Sequence, residues 1–415
     1  MISDINRITV FEHEKIFVHS GANRLPKNVH LQLEKYYGSY SPFFSLIRDG
    51  VQFNEYVGVL QVGKYSIEVL PKADKDGEEE WRAILIGMIQ TIWGFEVKQS
   101  GSSTLSVRKN SILDLYFELF VNELERLLQK GLIKKYVHTE GNIRALKGQI
   151  HFAKNISHNL SHQERFYTKH THYSNDHLIL KILYKGLKLI SKLNSNVALQ
   201  SRIGSLFLNF PELDDIKVTE ITFERIRFDR KNADYKTAVK IAQLLLLNWH
   251  PDISKGRNDV IALMFNMNVL WEQFVFITLK RRLKNCSVSA QKSRKFWKPS
   301  DGYYSKMQAD IIIKNKVTEE VAILDTKWKN LGDFNPSPND LRQMYVYHRY
   351  YNGSKTGLIY PGHSTTIKSG NYVSSQEEDL MSEKNCSLIF IEPIQKVTDW
   401  QNKIHSTVDA FLNCP

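Results

Sequence analysis

Between Gln308 and Asn330 the chain reads QADIIIKNKVTEEVAILDTKWKN, with Asp310 at the head of one apolar run and Asp325-Thr326-Lys327 at the end of the next. A hairpin with its turn centred between Val317 and Thr318 sets Asp310 opposite Asp325, since cross-strand partners are equidistant from the turn. Side chains alternate along a strand, so Asp325 and Lys327 are expected to project together and Thr326 to point away. Two neighbouring carboxylates resist joint ionisation unless a cation lies between them, and oxygen ligands suit Mg2+. A lysine beside such a pair can orient a water or offset the charge growing on a phosphate. The chemistry indicated is metal-assisted phosphodiester hydrolysis. Strands also end in Asp or Lys simply where they emerge into solvent. The apolar arms ADIII and VAIL, leading straight into the acids, supply the strand setting that the chemistry requires.

Three further residues could join this set. Glu272 lies off the centre of an apolar stripe formed by Leu263, Met267, Leu270, Phe274 and Ile277, where it could reach a metal at the sheet edge or remain a solvated helix acid. Gln343 and Tyr347 share a helical face by their four-residue spacing, and suit either hydrogen bonding near a phosphate or a structural role in the core.

The elements that must position these groups follow from periodicity. ITVFEHEKIFV and YVGVLQVGKYSIEVLPK read as strands, the latter two joined around Gly63-Lys64. WRAILIGMIQTIWGF, preceded by Glu78 to Glu80, and SILDLYFELFVNELERLLQKGL, ended by Gly131, read as helices. HLILKILYKGLKLISKL and DYKTAVKIAQLLLLNW are also helical, and VIALMFNMNVLWEQFVFITLKRRLKN is expected to be one helix. After the acidic hairpin, a helix around NDLRQMYVYHRYY and strands TGLIYP and CSLIFIEP give an α/β alternation. Proline, glycine and charge in HPDISKGRND place the domain boundary at 250, giving regions 1–250 and 251–415.

The chain has 415 residues, with 56 Lys and Arg against 44 Asp and Glu, a net charge of +12 that favours polyanionic partners. Cys286, Cys386 and Cys414 are too few and too scattered for a disulfide framework or a CxxC zinc site, which suggests a reducing cytoplasm. The opening residues lack a leader pattern, and no apolar run is long enough to cross a bilayer. His158, His162, His170, His172 and His177 lie in a polar, basic stretch without HExxH or CxxC, and read as surface rather than a metal site. Arg281, Arg282, Lys284, Lys292, Arg294, Lys295 and Lys298, with Phe296 and Trp297 among them, suit either DNA phosphates or an ordinary charged surface.

YVGVLQVGKYSIEVLPK, RALKGQI, FDRKNADYKTAVKIAQLLL, FNMNVLWEQFVFITLKRRL, ADIII, ILDTKWK and QMYVY together resemble the PD-(D/E)xK nucleases, and within them the McrC family of modification-dependent restriction systems. By motif, Asp310 and Asp325 match the two acids, Lys327 the lysine, Glu272 the acid of the preceding helix, and Gln343 with Tyr347 a downstream QxxxY element. Ala309 departs from the proline of the signature, a residue that shapes backbone and supplies no chemistry. The resemblance implies an α/β, overall α+β, chain. Its N-terminal mixed β/helical region would bind and stimulate a partner, and its C-terminal restriction-endonuclease-like domain would carry a central mixed sheet flanked by helices. It further implies cleavage of double-stranded DNA with Mg2+, and a partnership with an McrB-like AAA+ GTPase hexamer that reads methylcytosine. GTP is then bound by the partner, in keeping with the lack of a GxxxxGK[ST] loop here. A silent adaptor of the GTPase and a self-contained endonuclease are the alternatives.

Overall fold

The computed structural model describes residues 6–19, 24–37, 42–63, 65–71, 77–93, 112–194, 196–250, 260–331, 335–373 and 381–413. Two compact units emerge. One is built on Leu113–Trp249, and the other on the flanking segments, up to Ile112 and from His250 onward. The expected division into 1–250 and 251–415 differs from this, because the N-terminal strands belong with the C-terminal half. Apart from His250, the proposed boundary segment HPDISKGRND lies outside the described residues, as do Lys64 and Cys414.

The reason is a shared sheet. Asn6–Phe11, Tyr65–Leu70, Tyr56–Val62 and Val260–Asn266 are successive neighbours, so the segment after 259 closes a sheet begun by the first seventy residues. Val260–Asn266 was expected to open the following helix. It is instead a strand antiparallel to Tyr56–Val62, and helix begins only at Met267. An unbroken apolar run such as VIALMF satisfies either period, and the available ladder partner decides for strand. Gly58, at φ +137°, permits this pairing, because a Cβ there would stand 2.0 Å from the Leu263 carbonyl oxygen.

The second sheet of this unit runs Cys286–Trp297, Ser305–Asn315, Val321–Thr326, Lys355–Pro361, Met381–Ile391, Thr366–Val373. Its pairings are antiparallel at both edges and parallel in the middle, a mixed sheet. The helix Pro338–Tyr350 packs on it through Met344 and Tyr347, beside Ile312, Ile323, Leu358 and Phe390. Met267–Arg282 and Val397–Asn413 meet through Trp271, which stacks on Trp400 at 5.2 Å. The expectation of a mixed sheet flanked by helices matches this architecture.

In the other unit, the helix Ile112–Lys130 buries Leu113, Tyr116, Phe120, Leu124 and Leu127, the predicted stripe, and Gly131 follows at φ +84°. Helices Leu178–Leu193 and Lys236–Leu247 also lie where periodicity put them. The polar, histidine-rich stretch folds into strands Lys135–Ile143, Phe166–Ser174 and Gln149–Ile150, with a helix at Phe152–Asn159.

Candidate active site

The hairpin has the register read from its symmetry. Ile311 faces Leu324 and Lys314 faces Val321, which carries Asp310 across from Asp325 just beyond the last pair. Lys327 Nζ stands 2.9 Å from Asp325 Oδ2, and the strand register sets Asp310 beside Asp325. The structure therefore gathers Asp310, Asp325 and Lys327 at one end of the hairpin.

Asp325 is 1% exposed, and neither of its oxygens meets a well-aligned hydrogen-bond donor; the lysine contact is an ion pair away from the ideal line. Burial pushes its pKa up to about 7, Asp310 adds to the rise, and Lys327 opposes it. Burial likewise raises Asp310, against the Thr326 amide and Lys327, which favour its charged form. For Lys327, burial works against the charge, but Asp325, Asp340 and Asp310 outweigh it and the net shift is upward.

Thr326 behaves differently from the simple alternation. Its amide donates to Asp310 Oδ2 at 2.9 Å and its hydroxyl lies 3.3 Å from the same oxygen. The ladder to Ser305–Asn315 stops at Leu324, leaving the Thr326 amide on that side for the carboxylate. Asp340 also went unnoticed in the sequence. It starts the helix capped by Ser337, contacts Lys329 Nζ at 3.1 Å and lies 3.9 Å from Lys327 Nζ. An acid in the first turn of a helix is too common a signal to single it out.

Glu272 lies on the helix that Asn266 caps, its side chain accepting from the Asn268 and Val269 amides. Burial and the nearby Asp310 both raise its pKa, so it faces the site, and Gln291 Nε2 donates to it at 3.1 Å. Gln291 is the residue across from Asp310 on the outer strand, where the ladder skips from Ala290–Ile311 to Lys292–Ala309, and it adopts φ +49°. Left-handed backbone at a non-glycine residue costs free energy, and its position here belongs to the site.

Gln343 and Tyr347 come together on the helix Pro338–Tyr350. Gln343 Nε2 donates to the Tyr347 hydroxyl at 2.7 Å, and that hydroxyl donates to the Gln308 carbonyl at 2.5 Å. The pair thus fixes the strand two residues before Asp310. Past the lysine, Trp328 Nε1 donates to buried Glu12 at 2.7 Å, and its ring meets Trp81 and Trp271 edge-on. Nothing in the local sequence linked Glu12 to a residue over three hundred positions away.

Among the described residues no group of three or more His, Cys, Asp or Glu side chains is arranged to hold a metal ion. Glu272 is turned to Gln291, so two aspartates stand as the nearest oxygen donors. That set fits Mg2+, which binds through one or two carboxylates and completes its shell with water and phosphate oxygens. The unmet oxygens of Asp325 are what such an ion would take up. The histidines have other partners: His158 stacks on Tyr167, His162 lies by Glu164, His170 and His172 meet Thr168 and Thr139 with their own rings 6.1 Å apart, and His177 faces the Ile133 carbonyl.

A profile of the McrBC 5-methylcytosine restriction system component family matches residues 51–361. The type IV methyl-directed restriction enzyme EcoKMcrBC of Escherichia coli strain K12 is 24% identical over 307 residues, 68% of this chain and 86% of that protein. A refined half-complex from a tetradecameric assembly of Thermococcus gammatolerans McrB AAA+ hexamers with bound McrC contains a chain of similar fold. The TM-score is 0.72 at 18% identity, over 98% of this chain and 100% of that one. The cryo-EM structure of the T. gammatolerans McrBC complex matches at TM-score 0.52 and 20% identity, over 67% of this chain and 88% of that one. With the profile spanning most of the sequence, and the fold agreeing from end to end, this chain belongs to the McrBC 5-methylcytosine restriction system component family.

Proposed function

We propose that this chain is the DNA-cutting subunit of a GTP-dependent, methylcytosine-directed restriction complex in the cytoplasm, a Mg2+-dependent endodeoxyribonuclease of PD-(D/E)xK type. The observation that carries it is Asp325, a buried carboxylate with unmet oxygens, set beside Asp310 and the Lys327 ammonium. Burying a carboxylate with so little hydrogen bonding costs on the order of several kcal/mol, a cost that a bound cation would offset.

Asp310 and Asp325 would hold the ion, with Glu272 beside them. Magnesium, when bound, supplies positive charge that favours attack of water on a phosphodiester. This chain's residues do the rest. Lys327 neutralises charge growing on the phosphate and orients the incoming water. Thr326 holds one oxygen of Asp310, which leaves the other free. Gln343 and Tyr347 fix the strand that presents Asp310.

The solved relatives pair McrB AAA+ hexamers with McrC, and that arrangement supports an McrB-like GTPase hexamer as the partner here. No helix among the described residues is long and apolar enough to cross a membrane. The region N-terminal to 250 is the candidate for contact with the GTPase and for stimulating it.

The test uses the purified chain with its cognate GTPase, Mg2+, GTP and methylated plasmid. Asp325→Ala should abolish breakage, a loss on the order of a thousandfold or about 4 kcal/mol of transition-state stabilisation, while GTPase stimulation persists. Equal breakage by both proteins would refute the site. Stimulation without breakage by either would make the chain an adaptor, and cutting without the GTPase would make it self-contained.

A further inference from the structure

The outer strand Cys286–Trp297 and its partner Ser305–Asn315 extend beyond the sheet. Val321–Thr326 pairs with the partner strand only from Ile311 onward, so residues 305–310 are laddered on one side alone and form a two-stranded ribbon rising from Asp310. Every residue from Gln291 to Lys298 is exposed. At the turn, Tyr303 is 98% exposed and Trp297 58%.

The ribbon's two faces differ. Arg294 and its partner Met307 turn toward the helix Pro338–Tyr350, where the guanidinium stacks over Tyr351 and bonds the Tyr350 carbonyl. One step along, Lys295 and Lys306 face each other across the ladder and, by alternation, project from the opposite face. Like charges directly opposite in a ladder are destabilising. Lys298 joins the cluster, for Lys295 Nζ and Lys298 Nζ both lie near the ring of Tyr304, at 4.4 and 5.2 Å from its centroid. Among the described residues no carboxylate forms an ion pair with any of the three. One aromatic ring serves both ammonium groups and supplies no negative charge to neutralise them.

An exposed basic cluster without carboxylate partners suits a polyanion. Resting on the nuclease reading above, we propose that this ribbon grips the phosphate backbone of double-stranded DNA beside the bond to be cut, with Lys295, Lys298 and Lys306 as the phosphate contacts. From position 306 to Asp310 a strand rises about 14 Å, which corresponds to about four base steps of a duplex. The contacts are to backbone, so they set the position of the duplex and carry no sequence preference.

Binding of a labelled DNA duplex by the full chain, measured in EDTA so that nothing is cut, tests this over a series of salt concentrations. Changing Lys295, Lys298 and Lys306 together to Ala should weaken binding at low salt by about tenfold or more and flatten the dependence of log K on log salt by roughly 2 to 3. The triple change to Arg should restore both. All three positions are exposed, and equal GTPase stimulation by the variants would show that they are folded. An unchanged salt slope, or tighter binding of single-stranded RNA than of duplex, would overturn the proposal. The nuclease reading fails separately: if Asp325→Ala still cuts, the active site is wrong while the slope measured in EDTA is untouched.

Discussion

The two compact units handle charge in opposite ways. In the unit built on Leu113–Trp249, charged groups meet at the rim: Arg202 Nε donates to Glu125 at 2.9 Å, Lys185 reaches Asp215 at 3.0 Å, and Lys130 reaches Asp234 at 2.9 Å, each pair partly exposed. The unit carrying the site takes charge inside. Glu68 and Arg82, 0% and 2% exposed, pair at 2.8 Å, and Glu68 also accepts from the Ile112 amide. Asp325 is as deeply buried and far less satisfied. Rim pairs add little to stability because water screens them and the side chains must be ordered. Of the two buried carboxylates, Glu68 ties elements together through Arg82 and the Ile112 amide, whereas Asp325 has the single ion pair to Lys327.

The largest effect should come from breaking the buried Glu68–Arg82 pair. Glu68→Ala strands the Arg82 guanidinium in the core and releases the Ile112 amide, for an expected loss of about 3–5 kcal/mol in a urea titration. A loss no greater than that of a rim pair, about 0.5–1 kcal/mol, would erase the contrast.

Asp325→Asn sharpens the other side of it. With a folded pKa near 7 against an ordinary value of 3.8, the ionised carboxylate disfavours the folded state above pH 7. That penalty is relieved as pH falls through 7 and is gone below the unfolded value. At pH 8 the amide should therefore be more stable than the acid, by up to about 4 kcal/mol, even as the proposed DNA cutting is lost. The gap should narrow steadily on acidification from pH 7 to pH 5. An Asn protein that is less stable at every pH would mean that Asp325 is a structural acid.

The sequence carried the site's centre because three facts are local: hairpin symmetry, strand alternation and two apolar arms. It carried the helix Ile112–Lys130 for the same reason, since its stripe and its glycine stop lie within one segment. Residues that act across the fold were hidden. Glu12 reaches Trp328 only once distant segments meet, Asp340 reaches Lys327 only once the following helix packs back on the sheet, and Gln291 is marked by a backbone angle rather than by its side-chain type. Val260–Asn266 was misread for a related reason: its period suits either structure, and the partner strand lies two hundred residues earlier. Thr326 shows the limit of alternation, which fixes where a side chain starts but not what a free amide beside it will bind.

The smallest expected effect lies in the rim-charged unit and has the opposite sign with pH. His177, just before the helix Leu178–Leu193, has Nε2 at 3.1 Å from the Ile133 carbonyl, while its Nδ1 is buried without a partner. Partial burial lowers its pKa, with Lys135 adding to the fall against the Ile133 carbonyl and Asp176. A histidine with a depressed folded pKa stabilises fully above its unfolded value, about 6.5, and loses that contribution as pH falls toward the folded one. His177→Gln keeps a donor for the Ile133 carbonyl and cannot titrate. Urea midpoints at pH 7.5 and 5.5 should show wild type losing ground to this variant on acidification, whereas against Asp325→Asn it gains. If both comparisons moved in the same direction, the two units would be burying their titratable groups alike, and the unmet oxygens of Asp325 would lose their standing as a mark of the site.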